Sequence, residues 1–224
     1  RDLVRSRGLG DVYKRQVVHG AIDIDSEPTR VERTENGNLR IYEKLHYYPP
    51  VGSLLSSKGD RDHDRYAPAF DFKECRSISL DSITIHHALG MGFLFERSEN
   101  IRILNSQVVL PEHTQRVIST TADATHFVNC KGDIWIENCR FENMLDDGTN
   151  VHGTYVEVDK VIDDHTVRVV LKHFEQSGFK FAGKGDDVWF ILHPSPQRQE
   201  VNTVDSVFTL NGRCLLYTSP SPRD

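Results

Sequence analysis

Three aspartates, Asp123, Asp146 and Asp147, are the residues whose type and spacing can do chemistry. Asp146 and Asp147 are adjacent, directly ahead of Gly148. Carboxylates brought close repel, so one of them should hold a proton that the others release. That difference is what acid–base catalysis uses, and glycosidic bond hydrolysis needs it in a specific form. One carboxyl protonates the leaving oxygen, while a carboxylate activates water or attacks the sugar. Asp146 reads as the general acid, with Asp123 and Asp147 together holding and deprotonating a water. A pair that shares one water implies inversion, with roughly 6.5–9.5 Å between the acid and a base. The plainer reading is a column of aspartates that caps turns or binds Ca²⁺ through hard oxygen ligands. His126 and Asn150 share a column on the same pattern and should point outward beside the acids, with His152 following. They suit hydrogen bonds to sugar hydroxyls, or they are ordinary surface residues.

The elements that must hold these residues are set by an internal repeat. Three segments align: Phe72 to Ile85, Phe95 to Val108 and Phe127 to Phe141. Each begins with an aromatic, continues through a small residue (Cys75, Ser98 or Cys130), and ends in two short alternating apolar stretches. Leu80 and Ile103 are 23 residues apart, Ile103 and Ile136 are 33 apart, and the longer interval holds an extra loop around Pro111 to Val117. Alternation broken every few residues by Asn, Ser or Gly fits three short strands per repeat. No segment has sustained helical periodicity. The expectation is an all-β chain, a right-handed parallel β-helix whose stacked coils bury a continuous inner column. Cys75, Ser98 and Cys130, with an Asn105/Asn138 column, should be its interior and turn ladders. On that alignment Asp123 stands four residues before Phe127 and Asp147 four before Val151. The two acids then occupy one column in adjacent coils, with backbones roughly 4.8 Å apart.

Longer alternating strands follow His152, with a Gly-rich turn at Gly183 to Gly185, and suggest a small inserted antiparallel β-barrel. The domain boundaries expected are 17–58 for a β-rich segment ending a first small barrel, 59–153 for the coils and 154–195 for the inserted barrel. The coils should resume in 196–213, near Val201. Ser6 to Gln16 and Cys214 to Asp224 can be translated from one DNA element read in opposite directions, which resembles a sequencing-library adapter. Residues 1–16 and 214–224 are therefore expected to be adapter-derived, and the remaining truncated stretch to be inactive alone.

Net charge is −6, and setting aside the six Lys/Arg and three Asp of those two ends makes it −9. An acidic chain argues against nucleic acid as a partner. No apolar run approaches the roughly 20 residues of a membrane span. Cys75, Cys130 and Cys139 show neither a disulfide framework nor a metal spacing, so no metal is expected.

Two stretches carry a family resemblance. Thr120-Thr121-Ala122-Asp123-Ala124-Thr125-His126-Phe127 is one, and the run from Glu137 through Asn143 and Asp146-Asp147-Gly148-Thr149-Asn150-Val151-His152-Gly153 is the other. Together they resemble glycoside hydrolase family 110, exo-acting α-1,3-galactosidases that remove terminal α-1,3-linked galactose, including that of blood group B structures. The resemblance implies a β-helix bearing two small barrels, an inverting mechanism, an acid at Asp146 and a water-holding pair at Asp123 and Asp147. His126, Asn143, Asn150 and His152 are then candidate substrate contacts. No cofactor is implied, the partner is a carbohydrate with terminal α-galactose, and a secreted or periplasmic location is expected. Two alternatives compete. A polygalacturonase-like hydrolase should show a basic groove, which the charge balance disfavours. A non-catalytic glycan-binding β-helix should hold Asp123 and Asp147 far apart, or turned into structural turns.

Overall fold

The computed structural model describes residues 28–46, 48–56, 67–172, 176, 178–192, 199, 201–212 and 214–218. It also gives the backbone alone of 4–6, 10–11, 16–17, 24–26, 198 and 200. Asp62 to Arg65, a charged run in the sequence, lies outside these residues, as do Ile22 and Asp23. By its contacts the chain divides into two units, residues 1–152 and 153–224.

The first unit opens on short antiparallel pairs. Strands β1 (Val4–Ser6), β2 (Gly10–Asp11), β3 (Gln16–Val17) and β4 (Ile24–Ser26) pair as β1 with β4 and β2 with β3. Strands β5 (Arg30–Arg33) and β6 (Leu39–Tyr42) form a hairpin. Ser53 to Ser56 is irregular chain.

The repeats then give three strands each. The first holds β7 (Phe70–Lys73), β8 (Arg76–Asp81) and β9 (Thr84–Ile85). The second holds β10 (Phe93–Glu96), β11 (Glu99–Leu104) and β12 (Gln107–Val108). The third holds β13 (Thr125–Val128), β14 (Lys131–Glu137) and β15 (Arg140–Phe141), and β16 (Thr149–His152) opens a fourth. Equivalent strands pair in parallel across repeats, giving three parallel sheets ordered β16-β13-β10-β7, β14-β11-β8 and β15-β12-β9. The register matches the sequence alignment: Phe72, Phe95, Phe127 and Val151 form one column, and Leu80, Ile103 and Ile136 another.

The inner face explains why these residues choose strands. Phe72, Phe95 and Phe127 stack at 5.0 and 4.9 Å between ring centroids, nearly coplanar in orientation. Phe93, Phe95, Ile101, Ile103 and Val108 of the second repeat have no exposed surface, because a neighbour covers them from each side. The counterparts of Phe95, Ile101 and Ile103 in the first repeat, Phe72, Ile78 and Leu80, are only partly buried. Ser98 is fully buried, and its hydroxyl takes the Cys75 N–H at 3.2 Å, so the small column sews one repeat to the next.

Between strands the backbone turns in the left-handed region. Glu74, Arg97 and Asn129 do so after the first sheet, and Ser82, Asn105 and Asn138 after the second. Asparagine tolerates that region because its short amide bonds locally. Here the amides also bond along the stack: Asn138 Nδ2 donates to Asn105 Oδ1 at 2.7 Å, and Asn105 Nδ2 to Asp81 Oδ1 at 3.0 Å. The Asn105 amide, and then the Ser82 hydroxyl, hold the Asp81 carboxyl below its usual range.

The second unit is antiparallel. Strands β17 (Glu157–Asp163), β18 (Thr166–Val170), β19 (Asp187–Ile191), β20 (Arg198–Thr203), β21 (Ser206–Asn211) and β22 (Cys214–Thr218) form a sheet β17-β18-β22-β21 and a ladder β19-β20. Val188 and Phe190 of β19, with Val167 of β18 and Val207 of β21, pack against a core of Ala182, Val204 and Tyr217. The expected return to parallel coils near Val201 does not occur: β20 pairs antiparallel with β19, and β21 with β22. Alternation from Val201 to Phe208 marks a strand but not its partner, and Val204, 1% exposed, joins this unit's own core. Cys214–Thr218, set apart above as adapter-derived, is placed between β18 and β21, with Leu215 and Tyr217 buried. No helix among the described residues is long and apolar enough to cross a membrane.

Two outcomes follow from the stack. Phe95→Ala leaves a void between two rings and should cost about 3–5 kcal/mol, read as a lower denaturation midpoint. An unchanged midpoint would mean the column does not carry the fold. Asp81's depressed pKa contributes stability present above the ordinary aspartate pKa and lost as pH falls through the folded value. Asn105→Gly keeps the turn and removes the amide, so NMR should show Asp81 titrating at higher pH than in the parent.

Candidate active site

The acids sit where the first sheet is entered. Burial alternates along β13, with Thr125 and Phe127 inward and His126 on the outer side. The segment before it is held on two sides. Gly92 N–H donates to the Asp123 carbonyl at 2.9 Å, and Ala124 N–H donates to the Asp147 carbonyl at 2.9 Å. Asp123 and Asp147 therefore hold the same position in successive repeats, as the alignment requires. A β-carbon at Gly92 would meet the Ala124 carbonyl oxygen at 2.5 Å, so the close approach of these segments needs glycine there. Leu145 N–H to the Thr120 carbonyl (3.0 Å) and Ser119 Oγ–H to the Glu142 carbonyl (2.6 Å) pin the two acid-bearing loops together. Thr125 Oγ1 adds a bond to the Gly148 carbonyl at 3.1 Å.

This scaffold brings all three acids together. One carboxylate oxygen from each of Asp123, Asp146 and Asp147 lies within 4.8 Å of the others. Asp123 is buried, Asp146 is half-buried and Asp147 is exposed. The glycan-binding alternative expects Asp123 and Asp147 apart, and they are adjacent. The spacing is nonetheless shorter than the roughly 6.5–9.5 Å expected for an inverting acid and base, and close to the 5–5.5 Å, approximately, of a retaining pair. Backbone stacking sets this: residues in one column stand one strand apart, and Asp146 adjoins Asp147 in sequence. The same three oxygens have the spacing to hold a divalent cation.

Asp123 is also tied to the histidines. Its Oδ2 lies 2.6 Å from His126 Nδ1, and its Oδ1 accepts the Asp147 N–H at 3.3 Å. His126 Nε2 lies 2.8 Å from His152 Nε2, with the rings edge-on at 85°. Sequence spacing placed His126 outward beside the acids but did not reveal this chain of contacts. The signal available was an aspartate three residues before a histidine, across the turn into a strand. Asn150 is the register partner of His126 on β16. Asn143 lies in the turn after β15, where its φ is 62° and its carbonyl accepts the Ser119 N–H at 2.9 Å.

Fold and site together define an all-β protein with repeated parallel strands, an antiparallel β unit and a triad of converging carboxylates. The family model described as GLAA-B beta-barrel domain II matches residues 166–222. Alpha-1,3-galactosidase A of Shewanella woodyi is 36% identical over 154 residues, 69% of this chain and 25% of that protein. Alpha-1,3-galactosidase B of Akkermansia muciniphila is 33% identical over 162 residues, 72% of this chain and 20% of that protein. Alpha-1,3-galactosidase B of Bacteroides fragilis is 39% identical over 141 residues, 62% of this chain and 23% of that protein. The chain is thus a relative of the alpha-1,3-galactosidases, in keeping with its resemblance to glycoside hydrolase family 110, and it spans about a quarter of these relatives' length.

Proposed function

We propose that this chain carries the catalytic stretch of an inverting exo-α-1,3-galactosidase, acting on terminal α-1,3-linked galactose that includes the blood group B type. The three parallel sheets are read as the faces of a right-handed β-helix, with the acids on its outer surface. The observation that carries the proposal is the convergence of Asp123, Asp146 and Asp147 within 4.8 Å, in a chain whose relatives bear the galactosidase name. Asp146 protonates the glycosidic oxygen as the bond to the anomeric carbon breaks. A water held by Asp123 and Asp147 adds to that carbon from the opposite face and gives up its proton to the pair. Of the candidate sugar contacts, Asn143 and Asn150 are the ones this reading gives to sugar hydroxyls, Asn150 standing beside His126 as its register partner on β16.

The short carboxylate spacing favours a second reading, retention through a covalent galactosyl intermediate, in which one aspartate attacks and water then releases the sugar. The anomer formed first separates the two. Galactose release from a Galα1,3Gal oligosaccharide is measured with the full-length gene product and its Asp146→Asn variant. Inversion gives β-galactose first by NMR, retention gives α-galactose, and Asp146→Asn should lose activity by about 100-fold or more. No release by a folded full-length protein sinks the galactosidase reading. Activity should also survive exhaustive chelation with EDTA, since no step needs a metal. Loss on chelation that Ca²⁺ restores would make the triad a cation site instead.

A further inference from the structure

We propose that His126 is a positioning residue for Asp123, braced by His152, and not a ligand for sugar hydroxyls; this deepens, and rests on, the hydrolase reading above. The argument is a count of hydrogen-bonding atoms. Asp123 is 4% exposed, and both of its oxygens are engaged, Oδ1 by the Asp147 N–H and Oδ2 by His126 Nδ1. An ionised carboxylate only accepts, so the proton in the 2.6 Å contact belongs to the ring. His126 is therefore held with hydrogen on Nδ1. Its other nitrogen faces His152 Nε2 at 2.8 Å, where one nitrogen must donate and the other accept. An imidazole has two nitrogens, and both of His126's are committed within the protein. Its side chain is only 13% exposed, which leaves it little surface to offer a ligand.

The same bonds do something for Asp123. A short bond from an imidazole N–H to a buried carboxylate is among the stronger kinds, and with the Asp147 N–H it fixes the carboxyl plane at two points. Each carboxylate oxygen keeps a further lone pair, so a water can still be held in that plane. His152 acts one step further back, by fixing the His126 ring edge-on.

The test uses the full-length protein. A misaimed base slows the chemical step with little effect on binding, so His126→Ala should lower kcat about 100-fold and leave KM nearly unchanged. His126→Asn places an amide nitrogen where Nδ1 stands and should restore much of that loss. His152→Ala should cost less, and the double alanine variant should be no slower than His126→Ala, because His152 works only through the ring it braces. A raised KM at unchanged kcat, or losses that add in the double variant, would overturn the proposal. If the parent protein releases no galactose, the hydrolase reading fails while the positioning claim is decided separately. ¹⁵N-edited NMR of the parent should show a strongly downfield His126 Nδ1 proton that disappears in Asp123→Ala. Its absence in the parent overturns the claim without any kinetics.

Discussion

Parallel strands keep their side chains in columns only while their register holds, and everything functional in the first unit depends on that register. The stacked rings of Phe72, Phe95 and Phe127 supply it, because a slip of one residue would turn every aromatic outward and every charged neighbour inward. Ser98 and Ser106 reinforce it by taking backbone N–H groups from the preceding repeat. Once the aromatic column is set, the residue four positions earlier in each repeat is set too. That is how Asp123 and Asp147 come to share a column although their carboxylates repel.

The columns also explain why such an arrangement is tolerated. Three carboxylates within 4.8 Å repel, and the fold's core gains nothing from them. The opposing terms are local. Asp147's own N–H and the His126 ring donate to Asp123, and the loops carrying the acids are tied by backbone bonds from Ser119, Leu145 and Ala124. The strength of these ties lies in backbone amides whose alternative partners would be lost with the sheet, so the acids are held by the fold's most cooperative bonds. Asp146 and Asp147, by contrast, keep access to solvent, as groups that exchange protons with a substrate or water need.

Much of this was legible in the sequence, and the reason is periodicity. The aromatic–small–apolar pattern fixed three strands per repeat, the partners of Leu80, Ile103 and Ile136, and the meeting of Asp123 with Asp147. Two things were not legible. Strand partners are not encoded in alternation, so Val201 to Phe208 read as a return to coils although β20 and β21 pair antiparallel inside the second unit. Side-chain direction in a turn is not encoded in strand alternation either. Asp123 lies just before β13, and only its rotation in the turn brings Oδ2 to His126. Nor does the repeat alignment give the separation of the acids, since one oxygen of each comes within 4.8 Å of the others.

That distance narrows how the proposed reaction can run. If Asp123, Asp147 and Asp146 all face one water-sized gap, an acid standing beyond the glycosidic bond must turn away from the pair when substrate enters. Asp146 is half-buried and Asp147 exposed, so the room to turn lies on the solvent side with these two. Asp123 cannot turn, because two donors hold it. The asymmetry fits the proposed division, in which Asp123 helps hold the water and Asp146 serves the leaving oxygen. His126 matters to that division, because without its ring Asp123 would keep only the Asp147 N–H as a donor.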